Sequence, residues 1–257
     1  MKTRYLKIFI LILVVHSCAV KTNLQKGKTP AKTGIKTGVK VTGKAVEKPK
    51  KEPAKIEEEE KQGKIWGIDI SHYQDITDWN KLQQQEPGFI FLKASEGSTI
   101  QDSKYTENYK AIRQLNIPVG SYHFFSYKST AKEQAKNFLS IVRYQSGDLP
   151  LVLDAEFAKV MPAKELVRKE LFEFMTIIYY KTGIYPIIYC PYKYYNTYLR
   201  EGIPAECKLW IVDYKGKPNC DWTFWQTTEK YKMGGIKGYV DFNLFYGSMK
   251  DFKILLH

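Results

Sequence analysis

The chain has 257 residues, 44% of them hydrophobic, with a net charge of +13 and only 4 Cys. That is enough apolar material for one sizeable domain, and it excludes both a wholly unfolded chain and a small disulfide-built scaffold. The charge is uneven: residues 1–20 carry +3, residues 21–64 carry 13 Lys against 6 Glu, and +3 remains for residues 65–257. No basic stripe with interleaved aromatics follows residue 64, so nucleic acid is excluded as a partner of the folded part.

Residues 1–18 place Lys2, Arg4 and Lys7 before the apolar run Ile8 to Val15 and reach Cys18 through His16 and Ser17. A cationic start and a short apolar run predict a secretory signal peptide. The run falls well short of the roughly 20 residues a membrane-spanning helix needs. Val15-His16-Ser17-Cys18 resembles a lipobox, with His16 as its departure, which implies lipidation of Cys18 and a membrane-anchored, exported lipoprotein at a periplasmic face or cell surface. Residues 19–64 are rich in Lys, Thr, Gly, Pro and Glu and end in Glu57-Glu58-Glu59-Glu60. They hold too few large apolar residues to bury a core and read as a Lys-rich disordered tether, suited to lie near anionic lipid or acidic wall polymer.

From Trp66 short apolar runs alternate with amphipathic stretches, so residues 65–257 form the predicted domain. Strands are predicted over 66–71, 89–95, 118–125, 151–156 and 185–190, with helices between them over 77–85, 103–115, 130–144 and 162–181. Pro162 suits a first helical position and Gly183 a helix stop. A short helix over 192–199 precedes three more strands, 208–214, 222–227 and 239–245, with little helix between. Repeated strand–helix units imply parallel strands, and eight strands close most naturally into an α/β, TIM-like parallel barrel of five strand–helix units followed by three strands. An open doubly wound sheet is the competing arrangement. With Cys18 set aside, Cys190, Cys207 and Cys220 allow at most one disulfide, and whether Cys207 and Cys220 pair is left open.

Barrel enzymes collect their chemistry at strand C-termini. The strand Leu151-Val152-Leu153-Asp154-Ala155-Glu156 ends in two acids at i and i+2, which point to the same face with backbones about 7 Å apart. Paired carboxyls in one cleft drive one of them to keep its proton, the arrangement that glycoside cleavage requires. An isolated Asp-x-Glu is more often a structural salt-bridge pair. Other strand ends change that balance, because they deliver Asp69, Lys93, Glu96, Tyr122, His123, Asp241 and Asn243 to the same rim. Tyr189, Trp210, Tyr214, Trp225 and Tyr122 add flat faces on which sugar rings can stack, although each is also ordinary barrel filling.

The blocks Gly67-Ile68-Asp69-Ile70-Ser71, Lys93-Ala94-Ser95-Glu96-Gly97, Tyr122-His123-Phe124, Asp154-x-Glu156, Leu209-Trp210-Ile211, Phe224-Trp225-Gln226 and Val240-Asp241-x-Asn243 follow in an order that resembles glycoside hydrolase family 25, the N-acetylmuramidases of fungal and phage type. The resemblance covers Ile65 to about Phe245. It implies a barrel with five strand–helix units and three further strands, and cleavage of the β-1,4 bond between N-acetylmuramic acid and N-acetylglucosamine in peptidoglycan glycan strands. It implies no metal and no cofactor, and a monomer is expected. Position by position it makes Glu156 the general acid and Asp154 its acidic partner, with Asp69 and Asp241 as further cleft acids. Substrate contacts are then expected from Lys93, Glu96, Tyr122, His123, Tyr189, Trp210, Tyr214, Trp225, Gln226 and Asn243. Asp154 is expected to orient the substrate's 2-acetamido group, giving retention, with direct attack by a carboxylate as the alternative. Asp213 is an extra acid of unassigned role. A family-18-type chitinase, which also ends a strand in Asp-x-Glu, would place acids at positions 149 and 152, where this chain has Leu149 and Val152. A barrel that has lost activity and only anchors a lipoprotein to the wall is the rival from another class.

Overall fold

The computed structural model describes residues 64–256; the signal peptide, Cys18 and nearly all of the tether lie outside them. The elements are β1 (Trp66–Ile70), β2 (Asp75–Ile76), α1 (Trp79–Gln83), β3 (Phe89–Glu96), β4 (Ile100–Gln101), α2 (Tyr105–Gln114), β5 (Val119–Phe124), α3 (Ala131–Ile141), β6 (Val152–Asp154) and α4 (Lys164–Thr182). They continue with β7 (Ile187–Pro191), α5 (Tyr192–Tyr194) running into a π turn (Tyr195–Leu199), β8 (Leu209–Val212), β9 (Phe224–Tyr231), β10 (Ile236–Lys237), β11 (Val240–Phe245) and α6 (Met249–Leu255).

Eight of these strands, β1, β3, β5, β6, β7, β8, β9 and β11, close on themselves through the β1–β3 pairing. The fold is therefore the expected α/β barrel, with one correction. Strands β1 to β9 of the ring run parallel, but β11 is antiparallel to both β9 and β1. The cause is the length of the link. Only residues 232–239 separate β9 from β11, and a parallel crossover needs a dozen or more. The link turns back as a hairpin, with β10 paired to β2 on its way.

Local chemistry sets the helix ends. Thr130 and Glu133 form a reciprocal capping box at α3, and Gly183 closes α4 in the left-handed region with φ 76°, a conformation glycine adopts freely. Pro162 lies just before α4 rather than inside its first turn, since Ala163 is the cap. A capping box of Ser248 and Asp251 also starts α6, a helix the pattern reading missed.

Strand alternation divides the apolar residues into two layers. Ile68, Ile90, Leu92, Leu153, Ile188 and Ile211 face outward to the helices. Phe89, Phe91, Val152, Ile187, Trp210 and Phe224 fill the barrel, with Phe91 stacked on Trp210 at 4.1 Å between ring centroids. Glycines make room for these rings: a Cβ on Gly120 would stand 2.5 Å from the Phe91 ring, and one on Gly67 2.3 Å from the Phe89 carbonyl oxygen. The aromatic layer plugs the lower barrel and forms a floor. Polar groups occupy the space above it.

Candidate active site

Above that floor, at the C-terminal ends of the parallel strands, lies a cavity of about 220 Å³. Asp69 from β1, Lys93 from β3, Tyr122 from β5, Asp154 from β6, Glu156 just beyond it, Tyr189 from β7, Trp210 from β8 and Asp241 from β11 all line it. Because β11 is inverted, its first residues, not its last, reach this rim, which sets Asp241 directly opposite Asp69 in register.

Two buried amides hold Asp69. Asn243, fully buried, donates from Nδ2 to Asp69 Oδ2 at 2.8 Å and accepts from Trp210 Nε1 at 2.7 Å. Gln226 donates to the same Asp69 oxygen at 3.3 Å and accepts from the Tyr189 hydroxyl at 2.6 Å. Expected as substrate contacts, both amides instead lie one layer down, tying Asp69, Tyr189 and Trp210 into one network.

Four carboxyls in a half-enclosed space raise one another's proton affinity. Burial holds Asp69 well above the usual carboxylate range, the facing Asp241 adds to it, and the Asn243 hydrogen bond opposes it. Burial lifts Asp241 to about 6, against the pull of its hydrogen bond with Asp69. Asp154 is raised first by burial and then by the Glu156 charge, with Lys93 pulling the other way. Glu156 is raised by burial and by Asp241, opposed by Lys93 and by the Tyr189 hydroxyl. Asp154 Oδ1 is buried and accepts no hydrogen bond from any described residue. The Asp154 side chain lines the cavity. Glu156, less deeply buried, borders both this cavity and a wider groove of about 750 Å³ that also includes Tyr192, Lys193, Tyr214 and Lys215.

Other expected contacts are placed differently. Glu96 pairs with Lys93 at 2.8 Å, while the Lys93 ammonium lies 5.1 Å from the centre of the Phe124 ring. His123 is a correction: it points out of the barrel, fully buried, bonded to Ser95 at 2.8 Å and Gln134 at 3.1 Å and stacked on Phe174. Tyr122 faces inward, so alternation turns its neighbour outward. Burial lowers His123 to about 4, leaving a neutral structural imidazole. Trp225 is also corrected, for it packs beside Trp222 and donates from Nε1 to the Asp213 carbonyl, outside the cavity. Asp213 receives a role here, since its side chain accepts the Lys215 N–H and shapes the turn after β8. Cys190, Cys207 and Cys220 are free thiols, so Cys207 and Cys220 do not pair.

Ser71, Tyr73, Gln74 and Phe124 line the cavity and were not anticipated. Tyr73 is 79% exposed and lies against His72 with centroids 4.0 Å apart. His72 is in turn fastened to the buried Asp102 at 2.7 Å. The signal was an aromatic three residues past the end of β1. Among the described residues no group of three His, Cys, Asp or Glu forms a metal-holding cluster.

Residues 68–236 match the model of the family described as Glycosyl hydrolases family 25. The chain is 35% identical over 196 residues to the uncharacterized protein YegX of Escherichia coli K12, covering 73% of this chain and 71% of that protein. It is 29% identical to Lysozyme M1 of Streptomyces globisporus, covering 72% and 68%. A solved family 25 glycosyl hydrolase from Bacillus anthracis superposes with a TM-score of 0.72 at 33% identity, over 77% of this chain and 95% of that one.

Proposed function

We propose that this chain, which belongs to glycosyl hydrolases family 25 and is a glycoside hydrolase, cleaves the β-1,4 bond between N-acetylmuramic acid and N-acetylglucosamine in peptidoglycan. The observation that carries the reading is the pairing of a buried Asp154 carboxyl that has a free acceptor oxygen with Glu156, whose proton affinity burial and Asp241 raise. The name of the Streptomyces relative, a lysozyme, agrees with it.

In this mechanism the sugar bearing the acetamido group sits over Trp210 and Tyr122. Glu156 gives its proton to the glycosidic oxygen as the bond breaks. Asp154 Oδ1 accepts the acetamido N–H and turns the amide so that its carbonyl oxygen attacks the anomeric carbon from the opposite face. Water, deprotonated by Glu156, then opens the cyclic intermediate with net retention. Direct attack by Asp154 is the poorer alternative. The Asp154 carboxyl has an oxygen with no hydrogen-bond donor among the described residues, a place for the acetamido N–H. Asp69 and Asp241, facing each other and both raised, share protons and leave negative charge beside the developing oxocarbenium ion.

Purified peptidoglycan digested by the enzyme should yield reducing-end N-acetylmuramic acid by mass analysis. Reducing-end N-acetylglucosamine, or no release, overturns the reading. Glu156→Gln should abolish hydrolysis while unfolding at an unchanged temperature, because the amide keeps the shape and cannot act as an acid. Export and anchoring through an acylated Cys18 belong to the same proposal, and mass spectrometry finding an unmodified mature terminus at another residue rejects them.

A further inference from the structure

The backbone of β6 leaves the barrel at the very point where its chemistry begins. The last ladder bonds are Phe125 N–H to the Asp154 carbonyl at 2.8 Å and Ala155 N–H to the Tyr189 carbonyl at 2.9 Å. Glu156 comes next, beyond the strand, and among the described residues no backbone N–H bonds its carbonyl. That carbonyl accepts instead from the phenol of Tyr127, at 3.0 Å. With its hydrogen spent on Glu156, the Tyr127 oxygen accepts the Tyr194 hydroxyl. Tyr194 is fully buried and meets the ring of Phe157, the residue after Glu156, edge to face at 5.1 Å.

We propose that Tyr127, backed by Tyr194, is a positioning residue that sets the depth and orientation of the Glu156 carboxyl in the cavity. The inference rests on Glu156 being the general acid. Tyr127 follows β5 and Tyr194 follows β7, the two strands that flank β6. The segment that carries the acid is therefore gripped from both sides, by a hydrogen bond at residue 156 and a ring contact at residue 157. Burial raises both phenols above their ordinary range, so each stays a neutral donor throughout the working pH range. The role is geometric. A proton must be handed over along a short, aligned path, and displacement of a catalytic group by about 1 Å can cost on the order of a hundredfold in rate.

The test is Tyr127→Phe, which keeps the ring and removes the hydroxyl that donates to Glu156 and accepts from Tyr194. Two substrates are compared: peptidoglycan, whose leaving sugar oxygen needs a proton, and a GlcNAc–MurNAc disaccharide carrying a 4-nitrophenyl aglycone, which departs without one. Tyr127→Phe should lower kcat on peptidoglycan about tenfold, the equivalent of one lost hydrogen bond, with KM within about twofold, while kcat/KM on the aryl glycoside, which reports only the step before water attacks, is nearly retained. The alkaline limb of its pH profile should also move. Tyr194→Phe, which leaves the Tyr127 donor in place, should show a smaller loss of the same pattern. Equal losses of kcat/KM on both substrates would mean a general structural defect and would overturn the proposal, as would no loss on either. Glu156→Gln in the same pair of assays separates the two claims. If it hydrolyses peptidoglycan at the wild-type rate, the reading of Glu156 fails; if it is inactive there while Tyr127→Phe is normal, only the positioning role fails.

Discussion

Asn243→Ala tests how much the hydrogen-bond network under the acids contributes to stability and to the proton affinity of Asp69. Asn243 is completely buried and makes one bond to Trp210 Nε1 at 2.7 Å and one to Asp69 Oδ2 at 2.8 Å. Alanine leaves the indole N–H without an acceptor, a cost of about 1–3 kcal/mol for a buried orphaned donor. It also removes a hydrogen bond to a carboxyl, worth about 1.5–3 kcal/mol when the carboxyl is charged. Asp69 keeps Gln226 at 3.3 Å and can take up a proton, which holds the second cost to its lower end. The expected loss is about 3 kcal/mol, or roughly 6–12 °C in Tm for a domain of this size. Thermal and urea unfolding followed by tryptophan fluorescence measure it. The Asn243 bond opposes the upward shift of Asp69, so its removal raises Asp69 further and moves the acid limb of the pH–rate profile to higher pH. A stability loss under about 1 kcal/mol, with the acid limb unmoved, would refute the argument, because the charge-assisted bond alone should exceed it.

Asp241 gives a linked pair of expectations. Its carboxyl rises from 3.8 to about 6 on folding, so between those values the folded state binds more protons and stability falls as pH increases. Calorimetry should therefore find Asp241→Asn more stable than the parent at pH 8 and little changed near pH 4, with lower turnover at both; equal destabilisation at both pH values would contradict this. Asp154→Asn should lower kcat far more than it raises KM, since the contact it alters strengthens as the bond breaks; steady-state kinetics on solubilised peptidoglycan decide, and an effect on KM alone rejects the role. Gly67→Ala should destabilise by at least the 1–3 kcal/mol typical of overpacking, because its Cβ would stand 2.3 Å from the Phe89 carbonyl oxygen, which cannot swing aside as a side chain can; denaturant melts at wild-type midpoint would show that the strands adjust.

Much of the barrel was legible because its signals are local. Apolar runs bounded by turn residues located the eight ring strands, and Gly183 marked the end of α4. The misses have equally local causes. The pairings at β2, β4 and β10 are two residues long and leave no period to detect. His123 was assigned to the rim by its company, although alternation from Tyr122 already turned it away. The fourth strand was drawn through Glu156, whereas its ladder stops at Ala155, and that difference leaves Glu156 to be held by side chains. Asn243 and Gln226 were seen as polar groups at strand ends, with no sign of which polar atoms they would meet.

What the sequence by itself determined is the alternation of strands and helices and the i, i+2 placement that points Asp154 and Glu156 to one face, because period and backbone direction are properties of neighbouring residues. The direction of β11 is not among these: the strand bounds read from the sequence leave residues 228–238 between the last two strands, and only the longer β9 shortens the link to residues 232–239. Tertiary structure alone decided that Asp241 meets Asp69, that one asparagine ties Asp69 to Trp210, and that the Tyr127 phenol, backed by Tyr194, reaches the Glu156 carbonyl. Those are contacts between residues distant in the chain. They exist only once the ring has closed and the aromatic floor has fixed how far each polar side chain stands above it.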